Sequence, residues 1–399
     1  MPFAIFILGL AVFAQGTSEF MLSGLVPDIA ADLNVSIPSA GALTSVFAVG
    51  MIVGAPSAAI LSLRWPRRTA LLVFLIVFTL VHVVGAVTTS FGILLAARVV
   101  GALANAGFLA VAIATATGMV AADAKGRATS VLLGGVTVAC VVGVPAGALL
   151  GQMWGWRAAF WAVALVCVPA VVAIVRSVPG TDLGRAQAGA QGERAATGPS
   201  ARRELRALRD PRLIVTLLLA ALVNGATFCA FTYLAPLVTE VGGFGDGWVP
   251  VMLALFGLGS FTGVTVAGRM SDARPVRLLL AGGPALLAGW LLFAVAAGNP
   301  VAMVVLVFVQ GTLSFAVGST LITRVLYAAA EAPSLGGAFA TAALNVGAAA
   351  GPLLGGVAIG AGLGYRSPLW VGALLVALAF VTAGLARAVR ADRALTTAS

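Results

Sequence analysis

Charge is what this sequence has least of. Only 9% of its 399 residues are charged, where a soluble domain carries roughly 25%, and 61% are hydrophobic, which excludes an ordinary water-soluble globule. Histidine is nearly absent, with His82 alone, and Cys140, Cys167 and Cys229 are the three cysteines, with no CxxC or CxxxH spacing. A structural metal site or disulfide framework is therefore not expected, and the cysteines read as small buried core residues. With one histidine and no paired acids inside apolar runs, the chain offers no catalytic constellation, so it is not expected to be an enzyme. A GxxxxGK[ST] stretch is missing too, which leaves ATP-driven work unsupported. The first apolar run has no basic leader and no small-residue cleavage site, and it reads as a retained helix, not a signal peptide.

Long apolar runs are what remain. Windows of about 20 residues, enough to cross ~30 Å of hydrocarbon, can be drawn twelve times: 4–26, 40–62, 70–88, 92–119, 130–152, 158–176, 213–238, 249–268, 278–297, 300–322, 337–360 and 369–386. The net charge of +10 would suit nucleic acid only as a basic face on a soluble domain. Here the basic residues lie in short loops, and 20 of the 23 fall in loops on one side, with Arg157 and Arg366 opposite and Arg98 inside a window. By the positive-inside rule both termini and the middle loop are cytoplasmic. That loop, 178–212, is rich in Gly, Ala, Arg and Pro without apolar period and reads as a flexible linker. It separates a six-helix unit, 1–177, from a second, 213–388, followed by a tail, 389–399.

The units are copies. An ungapped shift of 209 residues aligns Gly16 with Gly225, Pro27 with Pro236, Pro66 with Pro275, Arg68 with Arg277, Gly155 with Gly364, Arg157 with Arg366 and Trp161 with Trp370. Apolar composition does not place Pro, Arg and Trp at one fixed offset by chance. Parallel repeats of this kind suggest two bundles facing each other with a site at their interface.

Within the first window lies the one acidic residue placed inside a span, Glu19. A carboxyl at that depth costs about 3 kcal/mol on insertion scales and marks a functional site by default. Gln15, Glu19 and Ser23 follow at i, i+4, i+8 and give an apolar helix one polar side. Arg98 is the second buried charge, with Asn105 seven residues on along the same face.

Four stretches resemble the major facilitator superfamily, and within it the drug:proton antiporters with twelve spans. After the second helix the family has Gly-x-x-x-Asp-Arg-x-Gly-Arg-Arg. The second-half copy keeps Gly268, Asp272 and Arg277; the first keeps Arg64, Arg67 and Arg68 but has Leu63 in the acidic position. Arg98-Val99-Val100-Gly101 is similar to the Arg-x-x-x-Gly motif, whose arginine the resemblance associates with proton coupling. Gly143, Pro145 and Gly147, repeated as Gly351 and Pro352, resemble the antiporter motif, in which small residues permit close packing and proline a bend. The stretch from Gln15 to Asp28 is similar to actinomycete chloramphenicol efflux proteins and their sugar-exporter relatives.

The resemblance implies an all-α integral membrane fold of twelve helices in two pseudo-symmetric six-helix bundles. It also implies proton-coupled efflux by alternating access of a hydrophobic antibiotic such as chloramphenicol, with a sugar or nucleoside as the other candidate. Helices one, four, seven and ten line the cavity in that fold. They would offer Gln15, Thr17 and Glu19, then Asn105, then Asn224, Thr227, Phe228 and Phe231, then Gln310, Ser314 and Phe315, with Glu19 and Arg98 handling protons. No cofactor and no metal are expected. The partners expected are a small-molecule drug, protons and the lipid bilayer, without nucleic acid, and the chain is expected to act as a monomer in a bacterial cytoplasmic membrane. His82 reads as a satisfied structural residue. Trp154, Trp156, Trp161 and Trp370 read as interfacial belt anchors, and Asp28 and Asp32 as solvated acids at the outer end of helix one.

Overall fold

The structure is a computed structural model that describes residues 2–62, 65–121, 124–178, 205–270, 275–329 and 336–396. Among the described residues twelve helices are long and apolar enough to cross a membrane. We number them α1 (Phe3–Phe20), α2 (Ile37–Ser62), α3 (Arg67–Val87), α4 (Phe91–Gly118), α5 (Lys125–Trp154), α6 (Trp156–Ser177), α7 (Pro211–Thr232), α8 (Val249–Met270), α9 (Pro275–Ala296), α10 (Pro300–Ala328), α11 (Gly336–Ala358) and α12 (Ser367–Thr396). Local chemistry sets several ends. Asp210 caps α7 by accepting from the Arg212 amide at 2.8 Å, and Asn299 caps α10 by accepting from the Ala302 amide at 3.1 Å, each with proline at the first helical position. α12 runs beyond the expected boundary at 386, through Ala, Leu and Arg that favour helix.

Packing repeats between the halves. In the first, α1 packs on α5 and α6, α3 on α4 and α6, and α2 on α4; in the second, α7 packs on α11 and α12, α9 on α10 and α12, and α8 on α10. Across the interface α2 meets α11 and α5 meets α8, contacts that exchange with one another when the halves are swapped. The turn glycines at the 209-residue offset agree as well: Gly155 and Gly364 both have positive φ, 82° and 74°, a conformation in which a β-carbon would be strained. One large cluster of buried apolar side chains draws on residues 4–178. A second draws on residues 220–376, joined by Val144 and Ala148 of α5.

The expected glycine motifs pack α5 on α1 and α11 on α7. A β-carbon at Gly143 would collide with Thr17, at Gly147 it would lie 3.2 Å from Met21 Cβ, and at Gly151 it would strike Leu25. In the other half Gly347 and Gly351 lie directly on the α7 backbone at Ala221 and Gly225. α5 also carries a π turn, Ala139–Gly143, just ahead of Pro145, where proline cannot donate to the ladder.

The halves close on each other at the end remote from the termini. There Tyr233 fills the space over Gly41 and Gly356, Pro38 lies against Gly356, and Leu253 reaches Gly24. α8 packs chiefly on the second half of α5, from Ala139 onward. Of the loop motif, Arg64 and Asp272 lie outside the described residues. Arg67 donates to the Ala114 carbonyl at 3.0 Å, Arg68 is half-buried, and Gly268 and Arg277 are exposed.

Candidate functional site

α1 stops being an α-helix at Phe20 and tightens into a 3-10 turn, Met21–Gly24. The tighter turn advances about 120° per residue instead of 100°, so over Met21, Leu22 and Ser23 the last swings roughly 60° off the line of Gln15 and Glu19. The expected polar stripe therefore ends at Glu19. Gln15 is buried with both amide atoms lacking a partner. The Glu19 carboxyl is engaged by the Asn105 side chain and lies in the field of Arg98.

Arg98 enters from α4, about 10 Å from that helix's first residue, and is 2% exposed. Its Nη1 donates to the Ser18 carbonyl oxygen and to Ser18 Oγ, both at 3.0 Å, while the guanidinium carbon lies 4.2 Å from the Phe47 ring centroid, a cation–π contact. Among the described residues Arg157–Asp32, at 2.6 Å, is the one ion pair. Arg98 and Glu19 are thus neighbours without being paired.

Ser18 and His82 complete the cluster; sequence reasoning read His82 only as a satisfied structural residue and gave Ser18 no role. Ser18 Oγ lies 2.6 Å from His82 Nε2, and His82 Nδ1 lies 2.6 Å from the Phe78 carbonyl oxygen one turn back. His82 is satisfied, as its lone position suggested, but it is satisfied by the residue that holds Arg98. The one available signal was Ser18 standing beside Glu19.

The other candidates divide. Thr17 donates to the Phe13 carbonyl at 2.9 Å and faces Gly143, so it serves the α1–α5 contact. Thr227 donates to the Val223 carbonyl at 3.0 Å, and Asn224 Nδ2 donates to the Leu344 carbonyl at 2.7 Å, tying α7 to α11. Gln310 and Ser314, both buried, keep Oε1 and Oγ unpartnered. Phe228, Phe231 and Phe315 belong to an aromatic row that crosses between the halves. Phe20 lies 5.8 Å from Phe228, Phe228 6.3 Å from Phe231, Phe231 stacks on Phe256 at 4.7 Å, and Phe256 meets Phe315 at 6.2 Å. Beside this row a cavity of about 10 Å³, lined by Phe231, Phe256, Trp290 and Gln310 among others, has room for about one water molecule and not for a drug.

At the closed end Trp156 departs from the expected belt role. It is buried, donates Nε1 to Asp32 Oδ2 at 3.2 Å and is covered by the Arg157 guanidinium at 4.4 Å; Trp154, Trp161 and Trp370 are exposed. Asp28 faces Gly151 of α5. Partial burial there, and then the negative charge of Asp246 from the other half, raise its pKa above the usual carboxylate value. A proton thus binds Asp28 more tightly in this closed form than in one that frees it to solvent. Protonation at low pH favours closure, and the preference is lost as pH rises through the raised pKa. Spin labels at Asn34 and Trp248 are expected to separate with rising pH in the wild type, and Asp28→Asn is expected to weaken that pH dependence. The effect is small because solvent screens an exposed carboxylate.

Two six-helix bundles face each other, and the first holds buried ionisable groups in its core. Residues 8–343 match the Major Facilitator Superfamily, and the chain belongs to that family. It is 58% identical over 383 residues, 96% of each chain, to the chloramphenicol resistance protein of Streptomyces lividans. It is 34% identical to the inner membrane transport protein YdhP of Escherichia coli K12, over 94% of this chain and 93% of that one. Among solved structures, a D-xylose–proton symporter superposes with a TM-score of 0.74 at 15% identity, covering 95% of this chain and 97% of that one. At such identity it speaks for the fold alone.

Proposed function

We propose that this chain exports chloramphenicol or an antibiotic of similar chemistry from the bacterial cytoplasm in exchange for protons. The observation that carries the reading is Glu19. It is a carboxyl within a span, engaged by Asn105, beside but not paired with Arg98, and next to the Phe20–Phe228 bridge between the halves. A carboxyl so placed can take a proton or a ligand's polar group, and a ligand that competes with the proton for it is driven out when protons enter. Neutral hydrogen-bonding groups and an aromatic row suit a neutral amphipathic molecule. The name of the Streptomyces relative, at 58% identity, supports the substrate.

In this reading the units are 1–177 and 213–388, joined by the linker 178–212, and the protein lies in the cytoplasmic membrane with both termini and the tail, 389–399, inside. It works as a monomer. The closed end then faces outward, and drug reaches Glu19 from the cytoplasm. A relative named as a probable sugar efflux transporter of Pasteurella multocida, 27% identical over 87% of this chain, favours sugar export as the second reading.

The test is chloramphenicol accumulation in a sensitive host expressing the chain. Accumulation is expected to be low and to rise with an uncoupler. Unchanged accumulation, with protein inserted and sugars competing in a transport assay, would replace the antibiotic with a sugar.

A further inference from the structure

Phe78's carbonyl oxygen can only accept, so His82 Nδ1 carries the proton in the 2.6 Å contact between them. In the neutral ring Nε2 is then an acceptor. The Ser18 hydroxyl donates to it at 2.6 Å, which leaves the Ser18 oxygen lone pairs for Arg98 Nη1 at 3.0 Å. The imidazole thereby sets the direction of the serine hydroxyl. Without an acceptor at Nε2, a serine inside a helix turns its hydroxyl to the carbonyl one turn back, and the seat offered to Arg98 weakens.

Only one corner of the guanidinium is used in that seat. Nε and Nη2 are buried and have no partner; together they form one edge of the planar fork, the geometry that takes a carboxylate with two parallel hydrogen bonds. The carboxylate at hand belongs to Glu19, next to Ser18 on α1, and Arg98 already acts on it. Both destinations of the guanidinium lie on the same turn of the same helix, so moving between them is a rotamer change, and Phe47 covers the cation from α2.

We propose that Ser18 and His82 form a holding station for Arg98, which leaves it for the Glu19 carboxylate when Glu19 gives its proton to solvent. His82 is then a positioning residue of the exchange cycle. The inference rests on the reading of Glu19 as the proton site. The titratable groups facing the network are Glu19 on α1, Arg98 on α4, Cys140 on α5, which feels Glu19, and Cys167 on α6, bonded to Thr79 one turn from His82. α2 and α6 otherwise present the rings of Phe47 and Phe160.

Because His82 is the sole histidine, protein bearing isotope-labelled histidine and a histidine-free tag, held in lipid nanodiscs, gives one imidazole in nitrogen NMR. The expected state is neutral with the proton on Nδ1. Over about pH 5 to 9 the Nε2 resonance should move without the ring protonating, as Arg98 departs; Glu19→Gln should abolish the movement, and Ser18→Ala should shift the resonance and make it pH-invariant. A fixed wild-type resonance, the opposite tautomer, or the same titration in Glu19→Gln would overturn the proposal. These readouts need no drug, so they stand apart from the choice of substrate. In drug-driven proton exchange, His82→Gln, which keeps an acceptor, should stay within about threefold of wild type, and His82→Leu should fall about tenfold or more. Equal losses in both, at unchanged thermal stability, would also overturn it.

Discussion

Replacing Glu19 with glutamine is expected to lower proton-coupled export by about 100-fold or more, the order of effect that follows loss of an essential proton-transfer group. Insertion and folding should be intact. Glutamine is nearly isosteric and neutral, so it removes the group most costly to insert, and it can keep a hydrogen bond to Asn105, which engages the carboxyl now. The amide cannot cycle a proton, so ligand exchange down a ligand gradient should survive while transport driven by a pH gradient is lost. Measuring both modes in proteoliposomes separates coupling from binding. Loss of both with weakened binding would make Glu19 a substrate contact and no more; retention of both would remove it from the mechanism.

The second large effect is expected at Gly351. A β-carbon there would meet the Gly225 carbonyl oxygen and lie 3.0 Å from the Cys229 amide. These are backbone atoms of α7, which cannot step aside as a side chain could. Gly351→Val should therefore push α11 off α7, at a cost of about 1–3 kcal/mol or more for overpacking. The strain would pass through Tyr233, whose hydroxyl donates to the Pro352 carbonyl at 2.8 Å and whose ring fills the seam over Gly41. A fall in melting temperature with loss of export is the expected result, read by thermal unfolding in detergent. Gly268, with nothing within 4 Å, is the control: Gly268→Ala should be stable.

Much of this was legible in the sequence because bilayer thickness imposes a length on apolar runs. Twelve windows became twelve spans, and the offset of 209 residues reappeared as matching packing partners and as the paired turn glycines Gly155 and Gly364. The buried charges were legible for the same reason, since Arg98 and Glu19 stand out against apolar surroundings. Hydropathy carries no information about helical phase after a local change of geometry, so the 3-10 turn that displaces Ser23 was not foreseen. Nor does it say which neighbour a buried donor chooses. Arg98 bonds Ser18, not Glu19, where the His82 side chain of α3 reaches that serine. Thr17, expected in the cavity, faces α5, where Gly143 leaves space for it. Trp156, expected at the lipid interface, turns inward to Asp32.

The most direct test of proton-coupled drug export is transport by purified protein in liposomes with an imposed pH gradient and radiolabelled chloramphenicol. Wild-type protein should move drug against its concentration gradient, toward the side with more protons, and Glu19→Gln should only equilibrate it. Equal drug concentrations on both sides in wild type, with the pH gradient still in place, would contradict it.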